Sequence, residues 1–353
     1  MSAVRASVVS LAVLASCCVA LGQQSETLPP FEVHNKLPRH SGDYLPRRFR
    51  WSPCQDLKQA LKVFTHPVLP RRAYVVTVAT VYRSDDAGAS WQELPKLQRA
   101  AVGQVSHLEF APDDPEVMYV ASTTRGVWRS DDGGRTARLL ASATEGLAAD
   151  SVAGVYVYPA DLTFRTLLAV HGDSATGISV SRDSGATWQV VDEGFHVHRL
   201  VCFAPGKQEL YMVAAKKDEP DVLGLYATKS LGQYWLEVLR EGLLTDVAVE
   251  PDGRGLLVTT SDSGIYRVTG GGDVVRKLGH EDQRWSSVDV TWGSHADSRM
   301  TCLYAPTGQG LVTAAGDDLS AYQVQSEGLF VGKFVREGAL VRANATGDRL
   351  FAV

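Results

Sequence analysis

Beyond its first 22 residues the sequence has no apolar run of membrane-spanning length, no cysteine pair at metal-ligand spacing and no block of like charges. Each absence closes off a class of function. A helical span needs roughly 20 consecutive apolar residues, so the remaining 331 of the 353 residues read as a soluble chain. Of the five cysteines, Cys17 and Cys18 lie in the first apolar stretch. Cys54, Cys202 and Cys302 are odd in number and far apart, and read as small buried side chains rather than a disulfide framework or a metal set. A formal charge of −5, spread along the chain, offers no basic stripe for phosphates, which excludes nucleic acid as a partner. No P-loop, HExxH helix, nucleophile elbow or dinucleotide fingerprint is present, and no cofactor is expected.

What is present starts with an export signal. Arg5 precedes an apolar stretch from Val8 to Leu21, and Ala20-Leu21-Gly22 forms a small-x-small cleavage site before a polar run. The alternative is a lipobox, Leu14-Ala15-Ser16-Cys17, with a lipid anchor at Cys17; the apolar run after Cys17 favours cleavage. Either route places the chain outside the cytosol, secreted or in the periplasm or cell envelope. The organisation expected is a leader over 1–22 and a single domain over 23–353.

That domain repeats itself. Val81-Tyr82-Arg83-Ser84-Asp85-Asp86-Ala87-Gly88-Ala89-Ser90-Trp91 returns as Val127 to Thr136 and again as Ile178 to Trp188, each with Ser-x-Asp-x-Gly-x-Ser/Thr. Weaker copies follow at Leu225 to Trp235, Gly264 to Val268 and Gly310 to Ala314. Counted from positions 84, 130, 181, 228, 268 and 314, the intervals are 46, 51, 47, 40 and 46 residues. Between copies lie apolar runs separated by turn text such as Pro112-Asp113-Asp114-Pro115 and Pro251-Asp252-Gly253-Arg254. Each unit therefore holds four strands: two before the motif, one running into it and one after it. Short strands at this period fit radial repetition, an all-β propeller of four-stranded blades. Length divided by period predicts seven blades, with six plus decorated termini as the alternative. Phe31–His34 and Asp43–Leu45 are the expected donors of outer strands that close the last blade, whose inner strands would be 339–343 and 349–353.

In the motif, Asp86, Asp132 and Asp183 are expected to accept turn amides, and Gly88, Gly134 and Gly185 to take positive φ. Trp91, Trp188 and Trp235 are expected to cover the gaps between blades. On these residues the sequence resembles the BNR or Asp-box propellers, a superfamily that includes sialidases, sortilin-type receptors, certain glucanases and photosystem II assembly factors. The resemblance implies that the boxes sit between third and fourth strands, away from the ligand-binding face. A sialidase would need an arginine cluster, and the nearest text, Leu45-Pro46-Arg47-Arg48 and Leu69-Pro70-Arg71-Arg72, lacks the order of its Arg-Ile-Pro motif. No catalytic residue is carried over.

The face opposite the boxes is expected to present Arg125, His171, Asp173, Lys216, Lys217 and His280, a polar surface of mixed charge that suits a protein or glycan partner. His196 and His198 alternate like ligands on a strand but have no third ligand nearby, and no metal is expected. Asn344-Ala345-Thr346 is a glycosylation sequon. The reading is an exported, non-catalytic binding or assembly platform; the alternative is a glycoside hydrolase of sialidase-like type on the same scaffold.

Overall fold

The repeated apolar runs become strands whose burial depends on their place in the unit. The structure is a computed structural model. It describes residues 16–22 and 49–352, apart from 159, 172–176, 192–193, 203–208, 241, 251–252, 282–283, 286, 293–298, 306–309, 316–318, 320, 325–340 and 344–348. In chain order β1 (Ser16–Gly22) and β2 (Phe49–Lys58) precede a first blade of β3 (Ala60–Thr65), β4 (Ala73–Thr77), β5 (Val81–Ser84) and β6 (Gln92–Leu94). The second blade is β7 (Val105–Phe110), β8 (Met118–Ser122), β9 (Val127–Ser130) and β10 (Arg138–Ala141). The third is β11 (Val152–Val157), β12 (Leu167–His171), β13 (Ile178–Ser181) and β14 (Gln189–Val190). The fourth is β15 (Phe195–Cys202), β16 (Leu210–Lys216), β17 (Glu219–Thr228) and β18 (Leu236–Leu239). The fifth is β19 (Leu244–Val249), β20 (Gly255–Thr260), β21 (Ile265–Thr269) and β22 (Val274–Gly279). A further sheet holds β23 (Ser287–Trp292), β24 (Arg299–Ala305), β25 (Gly310–Ala315) and β26 (Ala321–Val324), and β27 (Val341–Ala343) and β28 (Arg349–Ala352) complete the chain.

Strand pairing is antiparallel and gives seven four-stranded sheets, the last ordered β2-β1-β28-β27. Five of them are blades described down to their side chains, fewer than the seven, or alternatively six, expected from length and period. Many side chains of the β23–β26 sheet and all of those of the β2-β1-β28-β27 sheet, except Leu57, lie outside the described residues. The sheet that joins the chain ends also uses other donors than expected. Its N-terminal strands are β1 and β2, whereas Phe31–His34 and Asp43–Leu45 lie outside the described residues. β1 falls within the segment read as an export leader.

The second strand of each blade, such as Leu167-Leu168-Ala169-Val170-His171, is buried along its length because sheets flank it on both faces. Fourth strands such as β22 are largely exposed. The core is accordingly divided into wedges between blades. Tyr74 and Val76 meet Leu108 and Phe110, Val127 and Tyr119 meet Val155 and Leu167, and Leu168 and Ile178 meet Leu210 and Met212. Leu225 meets Leu256 and Val258, and Leu257 meets Val288 and Val312. Each fully buried aliphatic side chain here contributes about 1.5–3 kcal/mol.

The turns between third and fourth strands share one geometry. Ser84 Oγ accepts from Gly88 N–H at 2.8 Å and donates to Asp86 Oδ1 at 2.8 Å, while Asp86 accepts the N–H of Ser90 at 2.8 Å and its hydroxyl at 2.5 Å. Ser130, Asp132, Gly134 and Thr136 repeat it, as do Ser181, Asp183, Gly185 and Thr187. In the fourth blade Thr228 and Ser230 stand in for Ser and Asp, and Ser230 Oγ accepts Tyr234 N–H at 3.0 Å. The glycines carry a double requirement. Gly185 has φ of 89°, and a Cβ there would lie 2.5 Å from Leu140 Cδ2 of the preceding blade. Trp188 packs on the wedge that holds Leu147 and Val152, Trp235 on the wedge between third and fourth blades, and Trp91 on Val63 and Val75.

Ions tie the same end together. Arg72, nearly buried, donates to Asp85 at 2.7 Å and to Glu116 of the next blade at 2.8 Å. Arg83 bonds Asp85 at 2.6 Å and the carbonyl of Gly133 at 3.1 Å. Arg72 is thus fully occupied with structure, and is not placed to receive a substrate carboxylate.

Gly185→Ala is expected to lower stability by about 1–3 kcal/mol through strain and overpacking, read as the shift in urea midpoint at unchanged m-value. Asp161, in the turn between β11 and β12, accepts from Thr163, Arg165 and Thr166, and its carboxyl is held down at about 2 despite some desolvation. A depressed acid stabilises the fold above its unfolded pKa, and the contribution disappears as pH falls toward the folded value. Asp161→Asn should therefore melt lower than the parent at pH 7, and the gap should close between about pH 4 and pH 2.

Candidate functional site

Antiparallel order puts the Ser-x-Asp turns and the turns between first and second strands at one end of the blades. The turns between second and third strands, and the connections from blade to blade, lie at the other. At that second end each first strand of the five blades carries a one-residue bulge at the same register. The shifts fall between Ala60 and Lys62, Val105 and His107, Val152 and Gly154, Val197 and Arg199, and Leu244 and Asp246. A bulge re-aims the side chains around it. Leu61, Ser106, Ala153, His198 and Thr245 are the inserted residues, and the last two are exposed.

First strands line the axis and leave one row of backbone groups without a strand partner. Side chains of the preceding blade take part of that row. Lys62 Nζ donates to Ser106 O at 2.7 Å, and Ser106 Oγ donates to Val152 O at 2.6 Å. Val157 N–H donates to Glu109 Oε1 at 3.3 Å, and Val288 N–H to Asp246 Oδ2 at 3.1 Å. All four run in one rotational sense, from each blade to the next. Glu109 is half-buried as a residue, yet burial desolvates its carboxyl and pushes its pKa up to about 8 against the bond from Val157.

The rim is built from a second repeated device. Val78, Thr123, Lys217 and Ser261 donate their N–H groups to Gln59, Gln104, Gly194 and Leu243, at 3.2, 2.9, 3.2 and 2.9 Å. Within the turns, Thr77 Oγ1 accepts Thr80 N–H, Ser122 Oγ accepts Arg125 N–H, and Thr260 Oγ1 accepts Ser263 N–H, at 3.0, 3.1 and 2.9 Å. His171 fills the same place in the third blade, since it pairs with Val152 as Ser122 pairs with Val105. Its Nδ1 donates to Ser151 O at 3.3 Å and its Nε2 meets Ser179 Oγ at 2.7 Å; burial lowers its pKa, so the ring is neutral at pH 7. His171 is buried at the end of β12 and bonded to Ser151 and Ser179, not exposed on the loop as expected from its position.

The other expected residues are spread over different blades. Arg125 is exposed, with Nη1 donating to Ala101 O at 2.7 Å. Lys216 pairs with Glu237 at 2.9 Å and lies 5.8 Å from the Tyr226 ring centre. Lys217 is exposed on the adjoining turn. His280 takes a left-handed φ of 64° and accepts Trp285 Nε1–H on its carbonyl at 3.0 Å. Asp173 lies outside the described residues. The titratable groups at the axis, Lys62, His107, Glu109 and Asp246, went unread because only the strand register turns them inward. Among the described residues no group of three or more His, Cys, Asp or Glu is placed to hold a metal ion.

No protein-family model matches the chain, and no curated protein is similar to it in sequence. Solved structures do resemble it. A GH74 enzyme from Niastella koreensis superposes with a TM-score of 0.59 at 15% identity, over 80% of this chain and 51% of that one. YCF48 bound to D1 peptide gives 0.52 at 12% identity, over 82% of this chain and 95% of that one. PorZ of Porphyromonas gingivalis, a surface component of the type-IX secretion system, gives 0.55 at 13% identity, over 82% and 45%. This chain spans about half or less of the length of the GH74 enzymes. At these identities the likeness shows the fold, a β-propeller of four-stranded blades.

The raised carboxyl has a thermodynamic signature. An acid whose pKa rises from 4.5 unfolded to about 8 folded costs stability as pH climbs through that window, because only the unfolded chain releases the proton. Glu109→Gln is expected to gain stability over the parent from pH 5 to pH 8 and to keep a constant lead above pH 8, in urea melts across that range.

Proposed function

We propose that the chain is an exported, non-catalytic propeller that holds a protein partner on the face carrying the second-to-third-strand turns. The observation that carries this reading is the use made of polar side chains there. Lys62, Ser106, Asp246 and His171 are each spent on backbone or hydroxyl groups of the fold, while Lys217 stays exposed on a braced rim beside Arg125, which is exposed too and gives Nη1 to Ala101 O. Such a rim is preorganised, which cuts the ordering cost of association. YCF48, a neighbour in fold, is bound to a D1 peptide, and PorZ belongs to a secretion system, both consistent with a holding role. The shared geometry of the Ser-x-Asp turns supports assigning them to the Asp-box type, and the apolar stretch from Val8 to Leu21 supports export with residues 16–22 retained as a strand of the sheet rather than cleaved away.

One observation favours the hydrolase reading. Glycoside hydrolysis uses a carboxyl kept protonated near neutral pH and a second carboxylate about 5–10 Å away. Glu109 meets the first condition. The other acidic side chain described on the first strands, Asp246, is three blades further round and already accepts two amides, from Val247 at 2.9 Å and Val288 at 3.1 Å.

The test is affinity capture of the tagged chain from its native envelope or medium, beside the double variant Arg125→Glu, Lys217→Glu. A stoichiometric protein that the variant retains at least about fivefold less well supports the platform. Turnover of a fluorogenic glycoside that Glu109→Gln abolishes would replace it with the hydrolase.

A further inference from the structure

The side chains around Glu109 suggest what binds beside it. Glu109 and His107 sit two residues apart on β7, so their side chains leave the same side of the strand. The His107 ring meets Phe64 of the first blade edge-on at 5.4 Å between centroids, and Tyr156 of the third blade at 4.7 Å. Tyr156 reaches it because residue 154 is glycine; a Cβ there would lie 2.7 Å from Tyr156 Oη. Three rings from three successive first strands thus stand together next to an enclosed carboxyl. Phe64, Glu109 and Tyr156 moreover occupy equivalent positions, each two residues beyond the bulge-closing residues Lys62, His107 and Gly154.

Among the described residues the carboxyl takes one hydrogen bond, from Val157 N–H to Oε1, and Oε2 has no protein donor. The nearest cation on the neighbouring first strand, Lys62, donates to Ser106 O. The titratable groups on the strands packed against Glu109 are Lys62 on β3, His107 on β7, Tyr119 on β8 and Tyr156 on β11, and no arginine or lysine contributes to its ionisation. A carboxylate beside aromatic faces, with no counter-ion among the described residues, is the complement of a soft organic cation, whose charge it neutralises and whose alkyl groups the rings cover.

We propose that this half-exposed cluster receives an alkylammonium group, the side chain of a lysine or methylated lysine on the partner, with its charge on Glu109 and its carbons against Phe64, His107 and Tyr156. The inference rests on the platform reading and names the chemistry of its anchor. It also fixes a pH dependence. Burial keeps the carboxyl protonated below about pH 8, so a permanent cation displaces a proton there and binds more tightly as pH rises, levelling off above that value.

The probe is choline, whose charge does not titrate, against its uncharged isostere 3,3-dimethylbutan-1-ol, each titrated calorimetrically into the folded chain. Choline is expected to bind at least about tenfold more tightly than the isostere, and about tenfold or more tightly at pH 8.5 than at pH 6.5. Glu109→Gln should abolish both differences while its melting curve shows an intact fold, and Tyr156→Leu should weaken choline several-fold at every pH. Equal affinity for the two probes, pH-independent choline binding, undiminished binding by Glu109→Gln, or no saturable binding up to about 50 mM would each overturn the proposal. Were Glu109→Gln to misfold, the isostere comparison and pH series on the parent chain decide alone. Failure of choline to bind while the partner is still captured removes this inference and leaves the platform standing; choline binding without any captured partner does the reverse.

Discussion

A sheet set radially around an axis has an inner edge that no further strand can cover, and each N–H or C=O left there without water costs about 1–3 kcal/mol. In this chain the inner strands solve the problem with side chains passed from blade to blade. Lys62, Ser106, Glu109 and Asp246 each reach the next first strand round the axis. The bulges belong to the same solution, because an inserted residue lets a side chain leave the wedge between blades and turn to the edge. The rim, the axial carboxyl and the aromatic cluster all follow from that arrangement.

The two ends of the blades use their polar residues differently. At the Ser-x-Asp end, Arg72, Arg83, Asp85 and Glu116 form a charged lattice across two blades, in which buried guanidinium groups meet carboxylates that solvent still reaches. At the opposite end most bonds are short-range turn caps, and charged side chains such as Arg125 and Lys217 stay at the surface. One end locks blade order; the other leaves charge on display over a fixed backbone. That division is why the second end is the one suited to a partner.

Sequence periodicity carried much of the architecture. Each Ser-x-Asp-x-Gly copy fixes a turn, and each turn fixes the strands on either side. Legibility declined where a residue's role depends on register rather than motif. His171 looked like a loop residue because Gly172 and Asp173 follow it, whereas its pairing with Val152 makes it the counterpart of Thr77, Ser122 and Thr260. Those hydroxyls had a readable signal, a Ser or Thr closing an apolar run before a turn, but it is weaker than an aspartate repeat. Glu109 was invisible for a related reason: within Leu108-Glu109-Phe110 it reads as the outward residue of an alternating strand, and only the ring arrangement makes that direction an enclosed one. The residue before each motif glycine, namely Ala87, Gly133, Ser184 and Leu231, adopts positive φ in all four turns although its identity varies.

The sheet ordered β2-β1-β28-β27 gives this molecule a particular folding history. Neighbouring strands within the five blades are local in sequence, so each blade assembles from contiguous chain. The pairing of Val19 with Phe351 joins the first described strand to the last, and the entropy of closing such a loop is met only once both strands are available. Blades can therefore form in order from contiguous chain, while the circle stays open until β28 pairs with β1. Until then the first blade keeps a wedge face, with Leu57, Val63 and Val75 beside it, that has yet to find its cover.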